Sequence, residues 1–96
     1  MSLMLLTLES FQSLTEAMAS AAEAQEWEDI SRIGAERTAL SVTLPFNLAA
    51  KLPPSELALG RMILKRCQHL DAQTQSIVEE RQKALRVLLR EPNFEN

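Results

Sequence analysis

Three carboxylates stand close together in the first third of the chain, in the stretch Glu-Trp-Glu-Asp at 26–29. Paired carboxylates can serve as general acid and general base in one reaction. On a helix, however, residues two apart point to different sides, so Glu26 and Glu28 would not face a common substrate. Carboxylates in the first turn of a helix complement the positive end of its dipole. We therefore interpret this cluster as a charged first helical turn, and the pair Glu79 and Glu80 as part of a solvated face.

A cysteine and a histidine also lie two residues apart, at Cys67 and His69. A thiol beside an imidazole could act as a nucleophile with its base, or as two ligands of a metal ion. Helical spacing again separates them, because Cys67 falls on an apolar stripe and His69 lies off it. A single cysteine excludes an internal disulfide and a cysteine-based zinc cluster. We interpret Cys67 as a small core residue and predict no catalytic residue, no metal site and no cofactor, so an enzyme is the least favoured class.

Three further charged residues, Arg37, Asp71 and Arg81, lie on or beside apolar stripes. They could stand at the edge of a stripe and extend their charged ends into water. Alternatively, Asp71 accepts from Arg37 or from Arg81 in a buried or half-buried pair that fixes how two helices align. The residue pattern leaves both interpretations open, and in either case the role is structural.

Apolar residues at spacings of three and four predict an all-α protein. We expect a single domain over residues 1–96, an antiparallel helical bundle of three helices with the third longest. The helices cover about 2–24, 26–44 and 55–90, and a proline-bounded linker covers 45–54. This linker is too apolar for a free loop, so Phe46, Leu48 and Leu52 are expected to pack across one end of the bundle.

Trp27 is the only tryptophan of the chain, and there is no tyrosine. It precedes the stripe of the second predicted helix and follows the small residues of 19–24, Ala-Ser-Ala-Ala-Glu-Ala. We predict that Trp27 is structural and packs near these small residues, where it fixes the angle at which the first two helices meet.

The predicted helices differ in length, at about 54 Å for the third against about 34 Å and 28 Å for the others. Part of the third helix is therefore left uncovered, and its apolar stripe requires a kink, a dimer or a bound partner. Flanking residues could complete a wide core or form a groove for an amphipathic partner helix. The residues that we predict to bind a partner are Leu57, Met62, Leu64, Ile77 and Leu85.

The formal net charge of −3 conceals an asymmetry. Residues 1–36 carry seven acids and one base, whereas residues 37–90 carry nine bases and four acids. Opposite charges favour packing of the two halves, and a basic face also suits an acidic partner. Direct nucleic-acid binding is disfavoured because no aromatic residues accompany the bases. The N-terminus lacks a signal peptide, and no apolar run could span a membrane, so we expect a cytoplasmic protein without membrane or small-molecule partners.

The order of motifs resembles the FliT-type flagellar export chaperones. A first helix is followed by "EWEDISRIGAERTAL", a linker containing "LPPSE" and a long helix with "ILKRCQHLDAQTQSIVEERQKAL". The combination of Trp27, Arg37, Asp71 and Arg81 carries the likeness, with Trp27 matching the family's tryptophan at the start of the second helix. The resemblance covers nearly the whole chain.

The resemblance implies a chaperone of flagellar type III export that binds a helical segment of the filament-cap protein. It would prevent premature assembly and deliver its cargo to components of the export apparatus. Some members also modulate flagellar gene regulation. Longer members add a regulatory C-terminal helix, and without that helix the groove would be permanently open. The alternative is a homodimeric coiled-coil adaptor or structural interaction module.

Overall fold

The computed structural model describes residues 2–90, which form three long helices and one short one. Helix α1 covers Leu3–Glu23, α2 covers Trp27–Ser41, α3 covers Leu48–Lys51 and α4 covers Pro54–Arg90. The predicted all-α bundle with its third long helix longest is confirmed, because α3 is a single turn within the linker. The remainder of the predicted domain, residue 1 and residues 91–96, lies outside the described residues.

Helix α1 is the central element, since it packs against both α2 and α4. Its start is capped by Ser2, whose side-chain oxygen accepts from the backbone N–H of Leu5 at 3.1 Å. The carboxylate of Glu56 in turn accepts from the backbone N–H of Ser2 at 3.0 Å, which ties the start of α1 to the start of α4. The buried face of α1 consists of Leu5, Leu8, Thr15, Ala19, Ala21 and Ala22.

The turn from α1 to α2 is tight, and Gln25 takes a left-handed backbone conformation there, with φ of 61°. The backbone N–H of Gln25 donates to the carbonyl of Ala22, and that of Glu26 donates to the carbonyl of Ala21. These are the two bonds of a Schellman C-cap, a position usually taken by glycine. The turn reverses the chain within three residues, so α2 runs antiparallel to α1.

Helix α2 ends at Ser41, three residues before the predicted end at 44. Pro45 disfavours helical backbone at the residue before it, and β-branched Val42 and Thr43 are poor helix formers. The hydroxyl of Thr43 bonds to the carbonyl of Leu40 at 2.7 Å instead, which offers the backbone an alternative to another helical turn.

The linker does pack against one end of the bundle, but only in part. Leu52 is buried in a core cluster with Leu5, Leu8, Ile63 and Cys67, and Leu48 packs against this cluster. The expectation for Phe46 was wrong, because its side chain is fully exposed. Phe46 precedes the α3 turn that anchors the linker, so the linker is held by its second half.

Helix α4 runs parallel to α1 and antiparallel to α2. Its buried stripe consists of Gly60, Ile63, Cys67, Leu70 and Thr74, at alternating spacings of three and four. Glu56 meets Ser2 near the start of α4, and Ile77 lies beside Glu23 near the end of α1. The molecule is elongated, with extents of 65 × 23 × 20 Å, because α4 is longer than the bundle that it joins.

Candidate functional site

The last part of α4 projects beyond the other helices. Trp27 at the start of α2 is level with Arg81, and α1 has already ended near Ile77. Every residue from 81 to 90 is exposed. We call residues 82–90 the α4 extension, which is about 14 Å long at the helical rise.

The α4 extension is amphipathic. Leu85 and Leu88 continue the spacing of the buried stripe beyond Thr74, yet they are 41% and 60% exposed because no described element covers them. Lys83, Arg86 and Arg90 lie on other sides of the helix, and within residues 2–90 none of the three has an ion-pair partner. The extension therefore offers an apolar strip bordered by uncompensated positive charge.

A polar contact among all three long helices lies below the extension, at mid-bundle. The guanidinium of Arg37 in α2 donates to the carboxylate of Asp71 in α4 at 2.6 Å, and to the hydroxyl of Thr15 in α1 at 3.1 Å. The hydroxyl of Thr15 donates to the carbonyl of Phe11 at 2.9 Å, and the guanidinium lies over the Phe11 ring at 5.2 Å. Of the two donors left open for Asp71, the structure selects Arg37.

The second donor, Arg81, lies instead over the Trp27 ring, with its guanidinium carbon 4.5 Å from the ring centroid. Trp27 is half-buried and is the first residue of α2. The ring therefore connects the start of α2 to α4 at the base of the extension. Trp27 also lies at the turn that follows α1. Trp27 and Arg81 hold α2 at the level where the bundle ends.

The five residues predicted to bind a partner do not form one surface. Leu57 packs against the core cluster, and Ile77 is half-buried beside Glu23. Leu64 and Met62 are exposed, but two residues of helix separate them by about 160° around α4. Only Leu85 belongs to the α4 extension, and no other apolar residue of the extension was in the predicted set.

The residues with chemical potential are held apart or buried. Cys67 is buried, and this burial is the main cause that raises the pKa of its thiol above 9.0. His69 is exposed on another side of α4. Glu28 and Asp29 lie in the first turn of α2, where Asp29 pairs with Arg32 at 3.4 Å. The described residues include no group of three side chains arranged to hold a metal ion.

Thr15 is the structural residue that sequence reasoning missed. It is completely buried and connects the Arg37–Asp71 pair to α1. The spacing of residues indicated this position, because Thr15 stands four residues after Phe11 and four residues before Ala19, which is buried.

Together, the fold and the surface define a small helical-bundle protein with a projecting amphipathic helix. A family model described as "Flagellar protein FliT" matches residues 5–93, which is most of the chain, and the protein belongs to this family. The resemblance drawn from the sequence is thereby confirmed, and the protein is a flagellum-associated one. Comparisons with curated proteins and with solved structures gave no match. Within residues 2–90, every helix is too short or too polar to cross a membrane.

Proposed function

We propose that this protein is a cytoplasmic flagellar type III export chaperone. In this role it binds a helical segment of the filament-cap protein and prevents that segment from assembling before export. A partner helix placed on an apolar surface gives binding without any catalytic group, which matches the helix-in-groove mode of peptide recognition. Family membership and the projecting amphipathic helix support this proposal.

The observation that carries the proposal is the uncovered strip on the α4 extension. Leu85, Leu88 and Leu89 expose 41%, 60% and 74% of their surface although they follow the core helix without interruption. A contiguous exposed apolar strip on a small protein is typical of an interaction site. Burying a leucine side chain contributes about 1.5–3 kcal/mol, so two such contacts supply about 3–6 kcal/mol of the roughly 8 kcal/mol that micromolar binding requires.

Charge defines the kind of helix that would bind. Lys83, Arg86 and Arg90 border the strip and have no acidic partner within residues 2–90. An amphipathic cargo helix with acidic residues beside its apolar face would match this border. Such complementarity mainly adds association rate and specificity.

Calorimetry with a peptide of the C-terminal helical segment of the cap protein tests the proposal. We expect Leu85→Glu combined with Leu88→Glu to weaken binding at least about a hundredfold, because charge replaces both apolar contacts. Met62→Glu is the matched comparison, since Met62 is also exposed but lies on another side of α4 and about 35 Å along the helix.

The comparison locates the site. If Met62→Glu alone abolishes binding, the cargo site is instead the surface around Leu59, Met62 and Arg66. Equal affinity for all variants, with unchanged helicity by circular dichroism, would reject both surfaces. The proposal is restricted to export; a role in flagellar gene regulation has no residue of the α4 extension assigned to it.

A further inference from the structure

Trp27 lies where the covered part of α4 gives way to the apolar strip of the extension. Its ring lies under the guanidinium of Arg81, with 4.5 Å between the guanidinium carbon and the ring centroid. Arg81 continues the spacing of the buried stripe, seven residues after Thr74 and four before Leu85. The buried stripe and the exposed strip are therefore one line along α4, and Trp27 stands where the cover of that line ends.

Two half-buried apolar residues continue the strip below this ring. Ile77 lines a depression together with Trp27 and Arg81, and Val78 is the next residue of α4. Both lie three or four residues before Arg81, and so on the side of α4 that carries the strip. A helix bound to the strip would reach these two residues if the Trp27 ring moved aside.

The first turn of α2, which carries Trp27, is weakly held. Before it, Gln25 has a φ of 61°, a conformation that favours glycine. Glu26 occupies the N-cap position without a side-chain hydrogen bond to the turn. Arg81 is exposed and forms no ion pair within residues 2–90, so its contact with the ring is open to water. An exposed cation–π contact shifts an equilibrium only about two- to fivefold.

The later part of α2 is held more firmly. Ile33 is buried, and Arg37 bonds to both Asp71 and Thr15. The first turn is therefore the part of α2 that opens most readily while the remainder of the helix stays docked.

We propose that Trp27 is a latch that a cargo helix displaces. In the free protein the ring lies against Arg81 and ends the strip at Leu85. When cargo binds, the first turn of α2 swings away and the bound helix extends over Ile77 and Val78. The inference rests on the proposed function, since it concerns the same strip. It supplies further apolar contacts to a site whose two leucines account for only part of micromolar binding.

The alternative is a fixed ring, and the emission of Trp27 distinguishes the two. Trp27 is the only tryptophan of a chain without tyrosine, so the intrinsic fluorescence reports on this ring alone. A cargo helix that docks beside a fixed ring covers it and shifts its emission to shorter wavelength. A displaced ring moves into water, and its emission shifts to longer wavelength.

The first experiment titrates the full chain with the cap-protein peptide, in which any tryptophan or tyrosine is replaced by phenylalanine. We expect the emission to move to longer wavelength, with the midpoint that calorimetry gives for binding. A shift to shorter wavelength, or no shift during binding, overturns the latch.

Arg81→Gln tests the contact that closes the latch. Without the guanidinium the ring is released at no cost, so we expect the peptide to bind about two- to fivefold more tightly. In a Trp27→Ala background the same change should have no effect, because the ring that Arg81 holds is absent. The matched control, Arg61→Gln, removes the same charge from an exposed position about 30 Å along α4 and should leave affinity unchanged. Unchanged or weaker binding by Arg81→Gln overturns the latch.

Hydrogen exchange of the free chain needs no peptide. The backbone N–H of Ile30 donates to the carbonyl of Glu26 at 3.2 Å, across the first turn of α2. Arg81→Gln should speed the exchange of this amide about two- to fivefold and leave the amides after Arg37 unchanged. Equal rates at Ile30, or faster exchange along all of α2, overturn the latch.

These outcomes separate the latch from the proposed function. A peptide that binds the native chain without the shift to longer wavelength refutes the latch and retains the function. A peptide that binds neither the native chain nor Arg81→Gln, with both folded by circular dichroism, refutes the function and the latch together.

Discussion

The contact of Arg37 with Asp71 and Thr15 allows a quantitative prediction about stability. Replacing Arg37 by alanine removes the bond to Asp71 at 2.6 Å, the bond to Thr15 at 3.1 Å and the cation–π contact with Phe11 at 5.2 Å. Asp71 is 43% exposed, so water screens the ion pair and its contribution is about 1 kcal/mol. The bond to Thr15 adds about 1 kcal/mol, and the ring contact adds about 0.5–1 kcal/mol. We therefore expect a loss of roughly 2–3 kcal/mol.

Arg32 provides the internal control. It also pairs with two carboxylates, Asp29 at 3.4 Å and Glu36 at 3.6 Å, but its side chain is 63% exposed and all three residues lie on α2. Exposed pairs within one helix contribute only about 0.3–0.5 kcal/mol each. Arg32→Ala should therefore cost less than about 1 kcal/mol.

Urea unfolding followed by circular dichroism measures both variants. A double-mutant cycle with Arg37→Ala and Asp71→Ala should give a coupling energy of about 1 kcal/mol. The reasoning is refuted if Arg37→Ala costs no more than Arg32→Ala. It is also refuted if the coupling is near zero, because the contact would then contribute nothing to how the three helices align.

Four other substitutions have expected outcomes that unfolding or labelling experiments can check. Gln25→Gly should stabilise the protein by about 1 kcal/mol in urea unfolding, since Gln25 has a positive φ; Gln25→Ala should give no gain. Thr74→Val should stabilise it by about 1 kcal/mol, because the buried Thr74 hydroxyl has no hydrogen-bond partner among residues 2–90; a large loss would indicate a partner. Trp27→Ala should cost roughly 1–3 kcal/mol, less than for a fully buried ring, and an unchanged thermal midpoint would contradict a structural role. Burial raises the pKa of Cys67, so the folded state holds the thiol proton more tightly. The resulting contribution of Cys67 to the free energy of unfolding is present below pH 9 and lost at higher pH. Cys67→Ala should remove this part of the loss of stability at alkaline pH, and equal losses in the native chain and the variant would refute the reasoning.

Local features of the sequence were sufficient to predict the helices. Apolar residues at spacings of three and four indicated the long helices, and carboxylates marked the first turn of α2. These signals depend on the period of the helix and on its dipole, which are properties of neighbouring residues. The end of α2 was the weakest boundary, because side-chain bonds such as that of Thr43 compete with the helix over single residues.

Which residues meet was decided by the tertiary structure. The sequence left both Arg37 and Arg81 open as partners of Asp71. In the structure only Arg37 reaches Asp71, across α1, while Arg81 lies over Trp27. The predicted partner-binding residues were likewise scattered, because their exposure depends on where α1 and α2 end beside α4. Helical periodicity determined which residues share a stripe, whereas the relative lengths and alignment of the packed helices determined which part of that stripe remains uncovered.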